Sequence, residues 1–361
     1  MPSRCTGWPA LRIQVTLGPL CMAAAAFAPR LLNPPFGDPG LYVALRHQGR
    51  ALLFDLGRID RQPATALLKI THVFVSHTHM DHFIGFDHLL RIFLARELHL
   101  DVFGPPGIID NVRGKLAGYT WNLIESYPFT LTVHEVGLER IDAVHLPART
   151  AFTPEPLPAR PFDGVLVDTE QFTVATTHLD HRIPCLGFAV AEKTRLNVRP
   201  ERLATLGVPA GPWLNQLKEG VRRGLPDDTP IEAQWRSAEG PQSRHFSLGE
   251  LREALLVSTR GQKLAYVVDT LFSHANLERI RALADGADVF FCESLFLDAD
   301  RDQASKRYHL TARQAGTLAR AAGVARLETF HFSSRYDRNP APLRAEAQAV
   351  FRGELPVDEP S

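Results

Sequence analysis

Paired cysteine is missing from this 361-residue sequence. Its four cysteines, Cys5, Cys21, Cys185 and Cys292, are widely spaced and form no Cys-x-x-Cys motif. A disulfide framework and a thiolate zinc knuckle are both disfavoured, so the thiols read as reduced. Net charge is missing too. Forty Lys and Arg offset forty Asp and Glu, so the field of the whole molecule does not point to a nucleic-acid partner. Any such contact must come from a local patch. No apolar run is long enough for a membrane span: the best, Ile13 to Ala28, is broken by Gly18-Pro19. Arg4 and Arg12 ahead of it leave a signal peptide as the alternative to the preferred reading. That reading is an N-terminal extension over residues 1–29, with Met22 as another start, on a cytoplasmic protein. Repeats of fixed period are absent. What remains is an ordinary globular composition, 45% hydrophobic and 22% charged, with length for one large domain over residues 30–361.

Apolar patterning supplies the elements. Ala51 to Gly57, His72 to His77 and Leu98 to Phe103 read as strands. Phe86, Leu89, Leu90, Phe93 and Leu94 recur at helical spacing between the last two. Pro147 to Pro161 carries five prolines and reads as an extended loop or linker. Strand signals resume at Phe172 to Thr177 and Cys185 to Ala191. Glu192 to about Pro241 is rich in Gly, Pro and charge and reads as an excursion from the core. The last third alternates regularly: strand Lys263 to Asp269, helix His274 to Asp285, strand Asp288 to Cys292, helix Thr311 to Ala322, strand Leu327 to His331. Thr311 suits a helix cap, and Gly286 and Gly323 suit helix stops. The class is α/β, with two sheets sandwiched between helices.

The strongest chemical signal is Ser76-His77-Thr78-His79-Met80-Asp81-His82, at the end of an apolar strand. Imidazole nitrogens and a carboxylate suit borderline cations such as zinc, and a strand-end loop can turn alternate side chains toward one point. Four potential ligands in six residues are hard to explain as a solvated polar loop.

This cluster resembles the metal motif of the metallo-β-lactamase superfamily. That resemblance implies an αββα sandwich in which His77 and His79 hold one ion while Asp81 and His82 hold a second, with hydrolysis by water activated between them. In the same comparison Asp269, closing the strand Leu264 to Val268, corresponds to the carboxylate shared by both ions. Asp55 corresponds to a supporting residue that does not bind metal. Thr329-Phe330-His331-Phe332-Ser333-Ser334-Arg335-Tyr336 is similar to the His-Phe-Ser-x-Arg-Tyr signature of ribonuclease Z, the tRNA 3′-processing endonuclease, and implies His331 as a ligand. His181, in Asp180-His181-Arg182-Ile183-Pro184-Cys185-Leu186-Gly187-Phe188, resembles a further ligand segment of that family and is preferred over His178. The expected cofactor is Zn2+, two ions per subunit, with Mn2+ or another divalent cation as alternatives.

The resemblance also implies a leaving-group acid. His309 corresponds to the His of a His-Ser-Thr-like loop, and Glu293 to the carboxylate of a His-Glu-Ala-Thr loop. Cys292 and Leu310 depart from those patterns. Asp81 would double as proton acceptor and Arg335 as a phosphate contact. Seven basic residues lie between Lys193 and Arg223, with Glu192, Glu201 and Glu219 in or beside the stretch. Gly207-Val208-Pro209-Ala210-Gly211-Pro212 and Leu217-Lys218-Glu219-Gly220 resemble the family's protruding arm, placed here at residues 193–240. The resemblance implies that Lys193, Arg195 and Lys218 grip precursor tRNA through phosphates, and that the enzyme is a homodimer. The opening Leu32 to Gly40 and residues 119–162 do not follow the family. The competing readings are a hydrolase of the same fold acting on a small phosphodiester or thioester, and an RNA-binding member without activity.

Overall fold

Strands of four to nine residues and short amphipathic helices can bury their apolar faces only by stacking in layers, and the chain does so in four. A computed structural model describes residues 26–46, 48–237 and 240–360. The expectations for residues 1–25, including Cys5 and Cys21, lie outside these. The first sheet takes its eight strands in sequence order: β1 (Phe27–Leu31), β2 (Leu41–Leu45), β3 (Arg50–Phe54), β4 (Ile70–Phe74), β5 (His99–Gly104), β6 (Thr130–Val136), β7 (Arg140–Pro147) and β8 (Glu155–Pro161). β3 to β6 run parallel. Helices α1 (Ala64–Leu67), α2 (Met80–Phe83), α3 (Phe86–Phe93) and α4 (Ile108–Ala117) belong to its connections. The helix expected from the Phe86 to Leu94 spacing is α3, which buries Phe86, Leu89, Leu90 and Phe93 against the sheet.

The second sheet begins with β9 (Val165–Asp168), β10 (Phe172–Asp180) and β11 (Pro184–Glu192). The chain then leaves it for α5 (Pro200–Leu206), α6 (Trp213–Arg222) and α7 (Leu248–Leu255), with β12 (Arg195–Val198), β13 (Pro230–Ser237), β14 (Gly240–Ser247) and β15 (Leu256–Thr259). β16 (Lys263–Val267), β17 (Val289–Glu293) and β18 (Leu327–Phe330) complete the sheet in the order β18-β17-β16-β11-β10-β9. Its outer face is covered by α8 (His274–Ala284), α10 (Ala312–Ala321) and α11 (Ala341–Arg352), with α9 (Arg301–Arg307) leading into α10. Thr311 and Gln314 form a reciprocal capping box on α10.

Between the sheets lies an aromatic layer. Phe54 stacks on Phe74 at 5.0 Å, Phe74 on Phe103 at 5.3 Å and Tyr266 on Phe330 at 5.4 Å, while Phe188 bridges from the second sheet to Phe54 at 5.7 Å. These contacts lock the two sheets so that the ends of β3, β4, β16, β17 and β18 open at one edge. That edge is where an open α/β sheet presents its loops to ligands.

Two expectations change. The proline-rich stretch is not a linker, because Glu155 to Pro161 pairs with β7 as the exposed edge strand of the first sheet. Proline lacks an amide donor but is tolerated where one side of the strand faces water. The excursion also runs past residue 240. β11 pairs directly with β16, so residues 193–262 stand outside the sheet. They carry a separate apolar core of Trp213, Leu217, Ile231, Leu248 and Leu251, set on a stalk in which β12 pairs with β15.

Phe74 is fully buried at the centre of the inter-sheet layer. Phe74→Ala should therefore destabilise the protein by about 3–5 kcal/mol in urea denaturation, whereas alanine at the exposed Leu138 should cost under about 0.5 kcal/mol.

Candidate metal centre

Six loops bring polar groups to the open edge. Ser76, His77 and His79 follow β4, and α2 supplies Asp81 and His82. The β10–β11 turn carries His181. Asp269 lies just beyond β16, Glu293 ends β17, His309 joins α9 to α10, and His331 follows β18. Gly57 lets this loop system close: a Cβ there would meet Asp38 Cβ at 2.6 Å and the Asp81 carbonyl at 2.9 Å. Strain gathers at the same place. Asp55, Asp269 and His331 adopt φ of 59°, 26° and 57°, and Arg182 and Tyr308, which adjoin His181 and His309, adopt 61° and 63°. Each such conformation costs a non-glycine residue on the order of 1–3 kcal/mol and persists only where surrounding contacts hold it.

The side chains converge in three overlapping groups, two of which contain Asp269. His77, His79, His181 and Asp269 offer ligand atoms within 4.8 Å of one another, as do Asp269, Glu293, His309 and His331, and Asp81, His82 and His331. Nε2 of His77 and of His181 each lie 3.6 Å from Asp269 Oδ2, and Nε2 of His82 lies at 3.4 Å. His82 Nε2 and His331 Nε2 are 3.5 and 3.4 Å from Asp81 Oδ2. Tetrahedral bonds of zinc length place neighbouring ligand atoms about 3.3–3.5 Å apart. These separations match that edge and exceed an N–H···O bond. His77 Nε2, His82 Nε2, His331 Nδ1 and Asp269 Oδ1 are buried without a hydrogen-bond partner. His331 Nδ1 and Asp269 Oδ1 are only 2.9 Å apart, yet their angles are not those of a hydrogen bond. Orphaned, inward-facing donor and acceptor atoms of this type fit a cation that fills the space between them.

The remaining ring nitrogens are held from behind, which fixes how each imidazole is presented. His82 Nδ1 meets Asp55 Oδ2 at 3.0 Å, His181 Nδ1 donates to the Tyr308 carbonyl at 2.8 Å, and Ser76 Oγ lies 3.1 Å from His77 Nδ1. Asp55 is a hub. Its carboxylate also accepts from the Ser76 amide (2.7 Å), the Ser76 hydroxyl (2.9 Å) and the Tyr266 hydroxyl (2.9 Å), so one buried side chain joins β3, β4 and β16. Burial, then the neighbouring His82, pushes His77 down to about 2, which leaves the neutral imidazole that metal binding requires. Burial opposes charge on His331 as well, but Asp269 and Asp81 outweigh it and raise that ring to about 10. Asp269 is held well below the usual carboxylate range, because His331 and His82 overcome the cost of burial. The carboxylates thus draw positive charge into the site.

No protein-family model matches the chain. Ribonuclease Z of Deinococcus radiodurans is 33% identical over 331 residues, covering 89% of this chain and 95% of that protein. The chain belongs to the ribonuclease Z family. Ribonuclease Z proteins of Geobacillus kaustophilus (33% identity, 87% of this chain and 89% of that one) and Methanothermobacter thermautotrophicus (30%, 86% and 85%) are similar to it as well. Among solved structures, human tRNase Z, short form, matches with a TM-score of 0.48 at 20% identity, covering 86% of this chain and 92% of that one. The metallo-β-lactamase fold protein YhfI of Bacillus subtilis matches with 0.49 at 14% identity, covering 89% and 92%.

Within this member of the ribonuclease Z family, all seven residues expected as ligands fall in these adjoining groups at the open edge. The rival His178 does not. Its Nε2 donates to the Val136 carbonyl at 3.0 Å and its ring packs edge-on against Phe162, away from the cluster. His309 Nδ1 and Glu293 Oε2 are 2.8 Å apart, and Glu293 Oε1 accepts from the Thr270 amide at 2.9 Å. Burial works against a charge on His309, but Glu293 prevails and shifts that ring upward. Cys292 and Leu310, the departures from the family loops, are both fully buried and pack in the core.

The expected substrate contacts are placed differently. Arg335 pairs with Asp300 at 2.6 Å, and Lys193 with Asp168 at 2.7 Å. Arg195 pairs with Glu192 through both carboxylate oxygens. Lys193 and Arg195 sit at the foot of the excursion, and Lys218 lies on α6. Sequence reading missed Ser76 and Tyr266, the partners of Asp55, and also Arg182, whose guanidinium lies 4.6 Å over the Tyr308 ring. A charged residue directly following a ligand histidine was the available signal for Arg182. None existed for Tyr266, which reads as an ordinary strand residue.

Asp55→Ala would strand several buried donors at once and should cost about 3 kcal/mol or more of stability. Tyr266→Phe, which removes a single donor, should cost about 1 kcal/mol on the same denaturation curve.

Proposed function

We propose that the chain is a two-metal endonuclease that hydrolyses a phosphodiester at the 3′ end of precursor tRNA, with zinc as its cofactor. The observation carrying this reading is the set of overlapping ligand groups around Asp269, which takes in the Glu293–His309 pair. His77, His79, His181 and Asp269 would hold one ion, and Asp81, His82, Asp269 and His331 the other. Bound there, the cations would supply a nucleophile at neutral pH and neutralise charge developing on the phosphoryl oxygens. Asp81 keeps 42% of its side chain exposed, the most open carboxylate of the set, and is placed to accept the attacking water's proton. His309, anchored through Nδ1 on Glu293, leaves Nε2 to protonate the departing ribose oxygen.

The excursion favours a large substrate over a small phosphodiester or thioester. Residues 193–262 hold eleven Lys and Arg against eight Asp and Glu, on a folded unit with its own core. A small-molecule hydrolase has no use for such an appendage. With Lys193 and Arg195 neutralised in the stalk, Lys218 and the arginines of α5 and α6 are the better phosphate contacts. The enzyme would act as a homodimer in the cytoplasm. Among the described residues no helix is long and apolar enough to cross a membrane.

The first test is metal content. The metal-replete protein should hold two equivalents; His181→Ala should lose metal while His178→Ala keeps it, and the reverse result would exchange their roles. The second test is substrate. Purified protein should cut a 3′-extended precursor tRNA, and Asp81→Ala should abolish cleavage while the RNA still binds. Val198 and Leu256 are register partners in the stalk, so residues 199–255 can be replaced by a two-residue Asn-Gly turn that closes β12 and β15 into a hairpin. That variant should bind precursor tRNA more weakly and with a shallower salt dependence, yet still hydrolyse bis(4-nitrophenyl) phosphate. Equal loss of both reactions in a folded variant would assign the excursion to shaping the active site.

A further inference from the structure

We propose that Arg182, braced on the ring of Tyr308, holds a backbone phosphate of the RNA next to the scissile position. The inference rests on the nuclease reading above and names the group that grips the chain at the centre itself. The metal ions proposed for the centre would serve the scissile phosphate, whereas a neighbouring phosphate of the RNA lies beyond them and needs uncommitted positive charge on the rim. The obvious cations are already committed. Arg335 is paired with Asp300, Arg313 with Asp298 at 3.1 Å, and Arg301 with both Asp298 and Asp358.

Arg182 is different. Among the described residues no carboxylate pairs with its side chain, which is exposed. Its backbone is nevertheless fixed: φ is 61°, and its amide donates to Asp180 Oδ1 at 2.7 Å. The guanidinium lies 4.6 Å from the Tyr308 ring centroid. A cation–π contact there engages the ring without using up the N–H donors, which remain for a tetrahedral oxyanion that the guanidinium can bond through two donors at once. Because the brace limits the side chain before substrate arrives, less rotamer freedom is lost on binding.

The position is the decisive point. Arg182 follows the proposed ligand His181, and Tyr308 precedes the proposed acid His309. The two loops are tied by the bond from His181 Nδ1 to the Tyr308 carbonyl. A phosphate held by Arg182 would therefore lie beside the leaving-group acid. Lys306 and Arg307, in the last turn of α9 just before Tyr308, are also without a carboxylate partner among the described residues and extend the positive rim.

The test pairs protein and substrate changes. Arg182→Ala should raise KM for 3′-extended precursor tRNA roughly tenfold or more, the loss expected for one charged hydrogen-bonding group, while bound metal stays at the wild-type level. Arg182→Lys should recover part of the loss, since the charge returns without the planar fork. Precursor RNAs carrying a single neutral methylphosphonate at successive positions around the cut should then show one position that weakens wild type and leaves Arg182→Ala unaffected. An unchanged KM, a uniform response at every phosphate, or loss of metal in Arg182→Ala would overturn the assignment, the last marking Arg182 as a structural brace for the His181 loop. A wild-type protein that leaves the precursor uncut would instead overturn the nuclease reading, so the two failures are distinguishable.

Discussion

A carboxylate at 2% exposure stays ionised only if positive charge comes to it, and Asp269 is in that position. Four imidazoles from three separate segments, those of His77, His82, His181 and His331, lie within 3.6 Å of its oxygens. Removing one partner would leave an uncompensated buried charge, a penalty larger than most single contacts contribute. The requirement reaches down into the fold. Asp55 lies one layer below and holds His82 from behind while bonding Tyr266 of the opposite sheet. The two sheets are therefore held in register by the aromatic layer and by a polar strut beneath the centre. Strained backbones at Asp55, Asp269 and His331 are tolerated because these contacts over-determine them.

Much of this was legible because it is local. His77 to His82 carries its spacing within one loop, and the strands and helices of the last third are punctuated by their own caps and glycines. The apolar stripe of α3 declares itself in eight residues. What could not be read depends on pairs far apart in the chain. Arg335 looks like an open cation until Asp300, brought close by the α9 segment, neutralises it. Tyr266 gives no sign of bonding Asp55. Pro156, Pro158 and Pro161 argue against a strand in general and are acceptable only because β8 has no further neighbour in its sheet. The excursion was underestimated for a similar reason. Its second half is a hairpin with few apolar residues outside the small core they share with α6 and α7.

Charge was the least readable property. A run rich in Lys and Arg suggests a binding face, but the structure spends several of these residues on local acids. Arg182, outside that run, lies beside the centre with no carboxylate partner to its side chain among the described residues. Counting charges by segment thus gives the sign of a region without saying which side chains remain available.

The stalk has a mechanical consequence. Two paired strands of four residues each, β12 and β15, make a narrow ribbon, and two-stranded ribbons twist more readily than broad sheets. Small rotations at such a base become large displacements at the far end, so the appendage is poorly suited to setting the ångström-scale alignment that bond cleavage needs. It is well suited to tethering. A ligand captured at the tip is confined to a small volume around the metal centre, which raises its effective concentration there without fixing its pose. Alignment is left to rigid groups on the sandwich itself, where the loops are pinned by buried hydrogen bonds.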